Sequence, residues 1–282
     1  MPKQWTGYHT VRNSVAVLSP ALLREIACAW LTAINPVVFS GAGMSTESGL
    51  ADFRSAQGIW KTRPETLATL TAQRQQPDEF YHFYQWRIAR LWEVQPNAGH
   101  IALAELEAQR RVKLLITQNV DGLHQRAGSV GVAELHGTLR TVSCLRCGAE
   151  FDSRILIPAQ AGWEAGCQAG FHYGKECECS QCGGLLRPDV VLFGESLPVS
   201  PWEEAVAHSQ AADFFVVIGS SLAVSPANLC PQLAVQNGAK LLIINREATP
   251  LDDCAAWVVR ADAAVVLAQI WQTVRQQAGL PL

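Results

Sequence analysis

The chain has 282 residues, of which 49% are hydrophobic and only 17% charged, so it is long enough to bury a full core. Its formal net charge of -3 gives no general attraction to nucleic-acid phosphates or anionic lipid, so neither is expected as a partner. No apolar run approaches the roughly 18 to 20 residues that cross a bilayer, and residues 1–13 lack the apolar core of a secretory signal. We therefore expect a cytoplasmic protein without membrane attachment.

Short apolar runs with the length of strands organise the chain. Helical patterns lie between several of them, for example over residues 98–111, where Ile101, Leu103, Ala104 and Leu106 are expected to face inward. Strands that alternate with helices predict an α/β fold with a Rossmann-like, doubly wound parallel sheet. The five predicted strands cover residues 37–39, 114–116, 214–218, 241–244 and 257–259.

Two stretches interrupt this alternation. Residues 55–95 are polar and then aromatic, which indicates a helical insertion, and residues 141–186 hold six of the nine cysteines. We predict that both stretches form one smaller domain inserted into the larger one. The larger, Rossmann-like domain is then expected to consist of residues 1–54, 96–140 and 187–282.

Glycine and polar residues follow the predicted strands. In open α/β sheets, ligands bind beyond the carboxyl ends of the strands, at the point where the strand order reverses. The sequence therefore predicts one ligand site built from several separated segments. These segments are Gly41-Ala42-Gly43, Gln118-Asn119-Val120-Asp121, Gly219-Ser220-Ser221 and Asn245-Arg246-Glu247.

The first glycine turn has the chemistry of a pyrophosphate site. Glycines allow the backbone to approach the anion, whose charge is favoured by exposed N–H groups at a helix start. The third glycine, Gly49, comes six residues after Gly43, so the spacing differs from the usual dinucleotide fingerprint. An ordinary tight turn is the alternative for this segment taken alone.

Two Cys-x-x-Cys pairs give the strongest metal signal in the chain. Cys144, Cys147, Cys179 and Cys182 supply the four thiolates of a tetrahedral zinc site, which suits a reducing compartment. Four sulfur ligands leave no open position for water, so this zinc ion is expected to be structural. Cys177 is an alternative to Cys179, although the spacing favours Cys179.

Together these motifs resemble the sirtuins, a family of NAD-dependent protein lysine deacylases. The resemblance extends over residues 37–247 and implies an enzyme that uses NAD+ as a cosubstrate and Zn2+ as a structural ion. The motifs that carry it, in chain order, are Gly41-Ala42-Gly43 through Asp52-Phe53-Arg54, Gln118-Asn119-Val120-Asp121-Gly122-Leu123-His124, Leu135-His136-Gly137, the two cysteine pairs, Arg187-Pro188-Asp189-Val190-Val191-Leu192-Phe193-Gly194-Glu195, Gly219-Ser220-Ser221-Leu222 and Asn245.

His136 is the expected general base. An imidazole with a pKa near 6.5 accepts a proton at neutral pH, and the resemblance implies that His136 deprotonates a ribose hydroxyl of NAD. It also implies that Asn119 and Asp121 position the ribose during catalysis. A helix cap or turn residue is the alternative for Asp121.

The resemblance also implies which residues bind NAD. It gives Phe53 the role of shielding the nicotinamide ribose, and Arg54 that of a phosphate or acid contact. The alternative is that Phe53 is a plain core residue and that Arg54 forms a salt bridge with Asp52. The expected NAD contacts are Gly41, Ala42, Gly43, Ser45, Asp52, Phe53, Arg54, Trp60, Gln118, Asn119, Asp121, Gly219, Ser220, Ser221, Asn245, Glu247 and Ala263.

The substrate is expected to be an acylated-lysine protein or peptide. In the family, a segment corresponding to residues 187–195 pairs as a strand with the substrate, which reads backbone more than side chains, and the resemblance places Val190, Val191 and Phe193 near the acyl-lysine. An ordinary buried strand is the alternative. Acetyl is the favoured acyl group.

A second set of residues leaves the acyl group open. Tyr84 and Arg87, at i and i+3 of a predicted helix, resemble the sirtuins that remove succinyl or malonyl groups, and Ala56 matches the small pocket residue of that subgroup. Asp189 and Leu192 depart from its pattern. Mono-ADP-ribosyl transfer and a non-catalytic NAD-sensing module are the rival functions.

Overall fold

The computed structural model describes residues 10–12, 18–159 and 173–280. The strands are β1 (Thr10–Arg12), β2 (Pro36–Ser40), β3 (Leu114–Thr117), β4 (Val132–Glu134), β5 (Gly137–Cys144), β6 (Glu150–Asp152), β7 (Leu186–Val190), β8 (Phe214–Ile218), β9 (Lys240–Ile244) and β10 (Trp257–Arg260). The α-helices are α1 (Pro20–Thr32), α2 (Leu70–Gln75), α3 (Pro77–Glu93), α4 (Ala98–Ala108), α5 (Leu123–Arg126), α6 (Val199–Ala211), α7 (Leu229–Gln236) and α8 (Ala263–Ala278).

Seven parallel strands form the larger sheet, in the order β1-β10-β9-β8-β2-β3-β4. From β2 the chain proceeds outward through β3 to β4, and from β8 it proceeds outward on the other side through β9 and β10. The strand order therefore reverses between β2 and β8, which is where an open α/β sheet places its ligand crevice.

Apolar side chains on both faces of this sheet bury it between helices. Val38 packs into the core beneath α1, α4 and α8, whereas its neighbours Val37 and Phe39 pack into the core beneath α6 and α7. All five residues of β2 are buried, as expected for a central parallel strand that is covered on both faces. This burial fixes the position of the turn that follows Ser40.

A second, three-stranded sheet has the order β6-β5-β7 and is antiparallel. One apolar core joins it to the helical insertion, since Phe80 and Tyr84 of α3 pack in the same cluster as Val142 of β5 and Leu186 of β7. The hydroxyl of Tyr81 also donates to the carbonyl of Leu186 at 2.7 Å. The expected domain boundaries near residues 54, 95, 140 and 186 stay a prediction.

The structure confirms the α/β class and all five predicted strands. To the larger sheet it adds two edge strands, β1 and β4, which the apolar pattern did not indicate. The helix expected over residues 98–111 ends at Ala108, and Ile101 was wrongly placed on its inner face, since that side chain is 47% exposed. Within the described residues, no helix combines the length and the apolar character needed to cross a membrane.

Candidate active site

A cavity of about 430 Å³ lies at the carboxyl ends of β2, β3 and β8, between the large sheet and the smaller unit. Most of the predicted site residues line it, so the structure brings together segments that are distant in the chain. These residues are Gly41, Ala42, Gly43, Ser45, Asp52, Phe53, Arg54, Trp60, Tyr84, Arg87, Gln118, Asn119, Asp121, His136, Val190, Val191, Phe193, Gly219, Ser220, Ser221, Asn245 and Glu247.

The turns after β2 and β8 pack directly against each other. The amide of Gly43 donates to the carbonyl of Gly219 at 2.8 Å. A Cβ on Gly41 would lie 2.8 Å from that carbonyl oxygen, and a Cβ on Gly43 would lie 2.8 Å from the Gly219 Cα. Gly219 has a φ of +60°, which favours glycine. These paired glycine turns therefore need glycine because any side chain would push the two turns apart.

Asn119 and Asp121 are almost fully buried at the end of β3 and share Ser45 as a partner. The Asn119 amide nitrogen donates to the carbonyl of Gly41 at 3.0 Å and to Ser45 Oγ at 3.2 Å. The Ser45 hydroxyl donates to Asp121 Oδ2 at 2.7 Å, while Oδ1 accepts from the Leu123 amide at 2.9 Å. Burial raises the pKa of Asp121, and these hydrogen bonds lower it in part. Both side chains are thus held in place by hydrogen bonds within the protein.

His136 lies in the turn between β4 and β5, and its Nδ1 is 3.0 Å from the carbonyl oxygen of Gln118. A carbonyl oxygen only accepts, so Nδ1 carries the proton and Nε2 carries the lone pair. Burial lowers the pKa of His136, although the Gln118 carbonyl favours the charged form. The imidazole is therefore neutral at physiological pH, with Nε2 available as a base.

Backbone contacts fix the position of this turn. The amide of Val191 donates to the carbonyl of His136 at 2.9 Å, which joins the turn to the end of β7. The following residue, Gly137, has a φ of +71°, and a Cβ there would lie 2.1 Å from the carbonyl oxygen of Asp189. Only glycine fits this close approach.

The segment after Gly49 forms one side of the cavity, and its ion pairs differ from the alternative considered above. Arg54 pairs with Glu65 at 2.8 Å and forms no bridge to Asp52. Asp52 instead accepts from the Ser55 amide at 2.9 Å and lies 3.6 Å from Arg246. The alternative salt bridge between Arg54 and Asp52 is therefore not formed, because the Arg54 guanidinium pairs with Glu65 instead.

Four aromatic residues, Phe53, Trp60, Phe83 and Tyr84, form an aromatic wall opposite the sheet. The ring centroids of Phe53 and Trp60 are 5.1 Å apart, and those of Trp60 and Phe83 are 6.0 Å apart. The guanidinium of Arg87 lies 5.2 Å from the Phe53 ring centroid and 5.6 Å from that of Tyr84. Burial lowers the pKa of Arg87, whereas Tyr84 and Asp121 favour its charged form. This wall therefore presents one enclosed cation among apolar surfaces.

Two predicted residues lie elsewhere, and several cavity residues were missed. Ala56 is exposed and Ala263 is buried in the core at the start of α8, and neither lines the cavity. The missed residues include Val224, Ser225 and Pro226, which continue the loop after Gly219. Extending the strand-end reasoning by a few residues would have identified this loop.

The four cysteines of the two Cys-x-x-Cys pairs converge, with all four sulfur atoms within 4.8 Å of one another. The Sγ atoms of Cys144 and Cys182 are 3.5 Å apart, and those of Cys147 and Cys179 are 3.8 Å apart. A tetrahedron with bonds of about 2.3 Å separates its sulfurs by about 3.8 Å, so the set fits zinc.

Cys177 lies outside this cluster. Its side chain is buried, and its sulfur accepts from Gln85 Nε2 at 3.7 Å. The structure therefore favours Cys179 as the ligand, as the spacing predicted. Cys167 falls outside the described residues.

Comparison with known proteins agrees with this geometry. A family model described as the Sir2 family matches residues 41–226. The NAD-dependent protein deacetylase of Saccharolobus solfataricus is 42% identical over 257 residues, which is 91% of this chain and 98% of the relative. NAD-dependent protein deacetylase 1 of Geobacillus kaustophilus is 50% identical over 82% of this chain and 89% of its own length. A solved Sir2 structure with a deacetylated p53 peptide and 3′-O-acetyl-ADP-ribose has a TM-score of 0.80 and 33% identity, covering 92% of this chain and 99% of that one.

Proposed function

Because the chain belongs to the Sir2 family, we propose that it is an NAD-dependent protein lysine deacetylase. This family membership confirms the resemblance to sirtuins drawn from the sequence motifs. The relatives are named as deacetylases that depend on NAD, and a structural neighbour holds both a deacetylated peptide and acetyl-ADP-ribose. The products are then nicotinamide, O-acetyl-ADP-ribose and free lysine.

The observation that carries this proposal is the tautomer of His136. Its Nδ1 hydrogen is donated to Gln118, so Nε2 is a free base in the same cavity as Asn119 and Asp121. NAD supplies the anomeric ribose carbon that accepts the acyl oxygen while nicotinamide leaves. We propose that His136 Nε2 accepts the proton of a ribose hydroxyl, because a neutral imidazole suits general base catalysis near pH 7.

Asn119 is assigned to ribose positioning. Both hydrogens of its side-chain amide are already donated, to Gly41 and to Ser45, so its Oδ1 remains as an acceptor at the cavity. Asp121 accepts from the Ser45 hydroxyl and from the Leu123 amide, and so keeps Asn119 in place through Ser45. Fixed polar groups of this kind stabilise developing charge without reorganising during the reaction.

The paired glycine turns, with Ser220 and Ser221, are assigned to the diphosphate, and Asn245 with Glu247 to the adenosine hydroxyls. Gln118 donates to Ser220 Oγ at 2.8 Å and thereby links the ribose and phosphate regions. Ala56 and Ala263 are not included, because they lie outside the cavity.

The protein substrate is assigned to the segment that follows β7. Val191 and Phe193 donate their amides to His136 and to Ala68, which holds this segment extended beside the base. An extended peptide that pairs with it would be recognised mainly through backbone groups, so we propose broad specificity for acetyl-lysine proteins. The reducing cytoplasm expected from the cysteine usage remains part of this proposal.

The test is mass spectrometry of an acetylated peptide incubated with the protein and NAD. We expect loss of acetyl together with formation of O-acetyl-ADP-ribose. His136→Ala should lower the turnover rate by a factor of about 10² to 10⁴, while the zinc content and the fold are retained. Unchanged turnover in this variant would contradict the assignment. An ADP-ribosylated protein with an unchanged peptide would indicate mono-ADP-ribosyl transfer instead, and NAD binding without either product would indicate a sensing module.

A preference for acidic acyl groups is a second candidate, and the position of Arg87 favours it. Its guanidinium faces the cavity within the aromatic wall, and in the described part of the chain no carboxylate forms an ion pair with it. A cation in this position can bind the free carboxylate of a succinyl or malonyl group. Comparing acetyl, malonyl, succinyl and longer acyl peptides by catalytic efficiency distinguishes the two preferences.

A further inference from the structure

Two fully buried histidines lie directly behind the cavity, and neither belongs to the site described above. His100 is the third residue of α4, and His124 is in α5. Their exposed fractions are 0% and 1%. Their ring centroids are 4.8 Å apart, and the ring planes are inclined by 58°. Each ring has one nitrogen without a hydrogen-bond partner, namely Nε2 of His100 and Nδ1 of His124.

The partners of the other two nitrogens define both tautomers. Nδ1 of His100 accepts from the backbone amide of Asn97 at 3.3 Å, so the proton of His100 is on Nε2. Nε2 of His124 is 2.9 Å from Ser40 Oγ. Ser40 Oγ lies 2.8 Å from Thr117 Oγ1, and when its single hydrogen is donated there, Ser40 accepts from His124 and the proton of His124 is also on Nε2.

The two nitrogens without partners are therefore complementary. His100 offers an N–H donor, and His124 offers a lone pair. Two imidazoles joined by an N–H···N bond of about 2.9 Å have centroids about 5 Å apart, close to the separation seen here. A buried polar group without a partner is costly, so a small rotation of either ring that joins these atoms is favourable.

A series of hydrogen bonds connects His124 to Asn119 at the cavity. Thr117 Oγ1, which accepts from Ser40, also accepts from the backbone amide of Asn119 at 3.0 Å. Ser40 and Thr117 are the last residues of β2 and β3 and are fully buried. The peptide that carries the Asn119 side chain is thus held by a side-chain hydroxyl.

A second series of hydrogen bonds connects His100 to the first glycine turn. Asn97, which donates its backbone amide to His100, also donates its side-chain amide to the carbonyl of Met44 at 2.8 Å. The start of α4, the turn after β2 and the end of β3 are therefore connected through buried polar groups.

We propose that His100 and His124 share an N–H···N hydrogen bond and act, through Ser40 and Thr117, as positioning residues for Asn119. Neither histidine lines the cavity. The pair acts only while both rings are neutral, because a second proton would set two donors against each other. Burial lowers the pKa of His100 to about 4, and that of His124 is lowered as well, which agrees with neutral rings. The effect on turnover rests on the function proposed above, whereas the hydrogen-bonded pair does not.

The first test is NMR of the ¹⁵N-labelled histidine rings at neutral pH, with His100→Gln and His124→Gln variants to assign the signals. We expect both rings to be neutral, with the proton on Nε2, and the His100 Nε2 hydrogen to exchange slowly with solvent. A proton on Nδ1 of either ring, or a doubly protonated ring, would overturn the proposal. This result does not depend on which reaction the protein catalyses.

The second test separates positioning from folding with a matched pair of variants. Thr117→Val removes the hydroxyl and keeps the shape, whereas Thr117→Ser keeps the hydroxyl. We expect Thr117→Val and His124→Leu to lower kcat by about tenfold to a hundredfold while the Kd for NAD changes by less than about twofold, and Thr117→Ser to retain most of kcat. Equal losses in Thr117→Val and Thr117→Ser, or losses that follow the folded fraction, would contradict a positioning role. If the unaltered protein deacetylates no peptide, the proposed function is wrong. The NMR measurement still shows whether His100 and His124 form the hydrogen bond.

Discussion

The two sides of the cavity are built by different physical means. The sheet side consists of strand ends, where Asn119, Asp121 and Gln118 have hydrogen bonds of 2.7 to 3.2 Å to neighbouring polar groups. The opposite side is the aromatic wall with Arg87, where packing of rings does most of the positioning. Hydrogen bonds fix direction, whereas aromatic packing fixes mainly volume. In the proposed function, the chemistry therefore belongs to the sheet side, and the choice of acyl group belongs to the aromatic wall.

The largest effect is expected from loss of the cysteine cluster, which supports the core shared with the aromatic wall. Cys179→Ser should release zinc and unfold the smaller unit, since structural zinc contributes roughly 10 to 16 kcal/mol of apparent binding free energy. Zinc content and near-UV circular dichroism measure this change. Cys177→Ala is the matched control, because that buried sulfur lies outside the cluster and zinc should be retained. Full zinc content in Cys179→Ser would show that another residue is the ligand.

A large effect on the sheet side is expected from Gly43→Ala. Its Cβ would lie 2.8 Å from the Gly219 backbone, so the paired glycine turns must separate. Overpacking of this kind costs about 1 to 3 kcal/mol, and we expect NAD affinity to fall by about tenfold or more. Calorimetric titration with NAD measures the change. In the control Gly131→Ala, the new methyl group would lie 3.2 Å from the Glu107 carboxylate, outside the cavity lining, and affinity should be unchanged. Equal affinities in both variants would show that the turns are not rigidly paired.

A moderate and selective effect is expected on the aromatic wall. Arg87→Met keeps the length of the side chain and removes its charge. A hydrogen bond to a charged group contributes about 1.5 to 3 kcal/mol, so the ratio of succinyl to acetyl efficiency should fall by about tenfold or more. Arg90→Met is the control, because Arg90 is already paired with Glu93 at 2.7 Å. A constant ratio in Arg87→Met would exclude recognition of acidic acyl groups by this residue.

The smallest effect concerns pH. Burial lowers the pKa of His136, so its neutral form persists below pH 6.5, and activity is lost only as the pH falls through this lowered value. We expect the acidic limb of kcat/KM to lie below pH 6.5. A pH series in buffers of constant ionic strength measures it. A limb at or above pH 6.5 would mean that a different group, or an exposed imidazole, is the base.

The same comparison explains what the sequence could predict. Central strands are buried on both faces and therefore appear as apolar runs, and the cysteine pairs have a spacing that geometry dictates. The short edge strands β1 and β4 lack that pattern because their partners lie on one side only. The alternative that paired Arg54 with its sequence neighbour Asp52 was wrong, since the loop brings Glu65 to Arg54 from eleven residues away. Contacts that depend on the path of a loop leave no periodic signal in the sequence.

The buried histidines show the same limit at the site. His124 was visible as part of a motif, and His100 only as a residue near a helix start. Their proximity follows from the packing of α4 beside α5, which no local pattern records. Sequence motifs thus identified the residues that face the cavity, whereas the groups that hold them had to come from the three-dimensional arrangement.

Strand β5 begins immediately after His136 and ends at the zinc ligand Cys144, so its eight residues connect the proposed base to the metal module over roughly 26 Å. The strand is continuous between these two ends, although its pairing with β7 shifts register between Gly137 and Val142. Any event that alters the module, such as thiol oxidation or competition for zinc in the cell, would pull on the turn that carries the imidazole. The availability of zinc, which does not contact the substrate, would then limit the rate at which acetyl groups are removed.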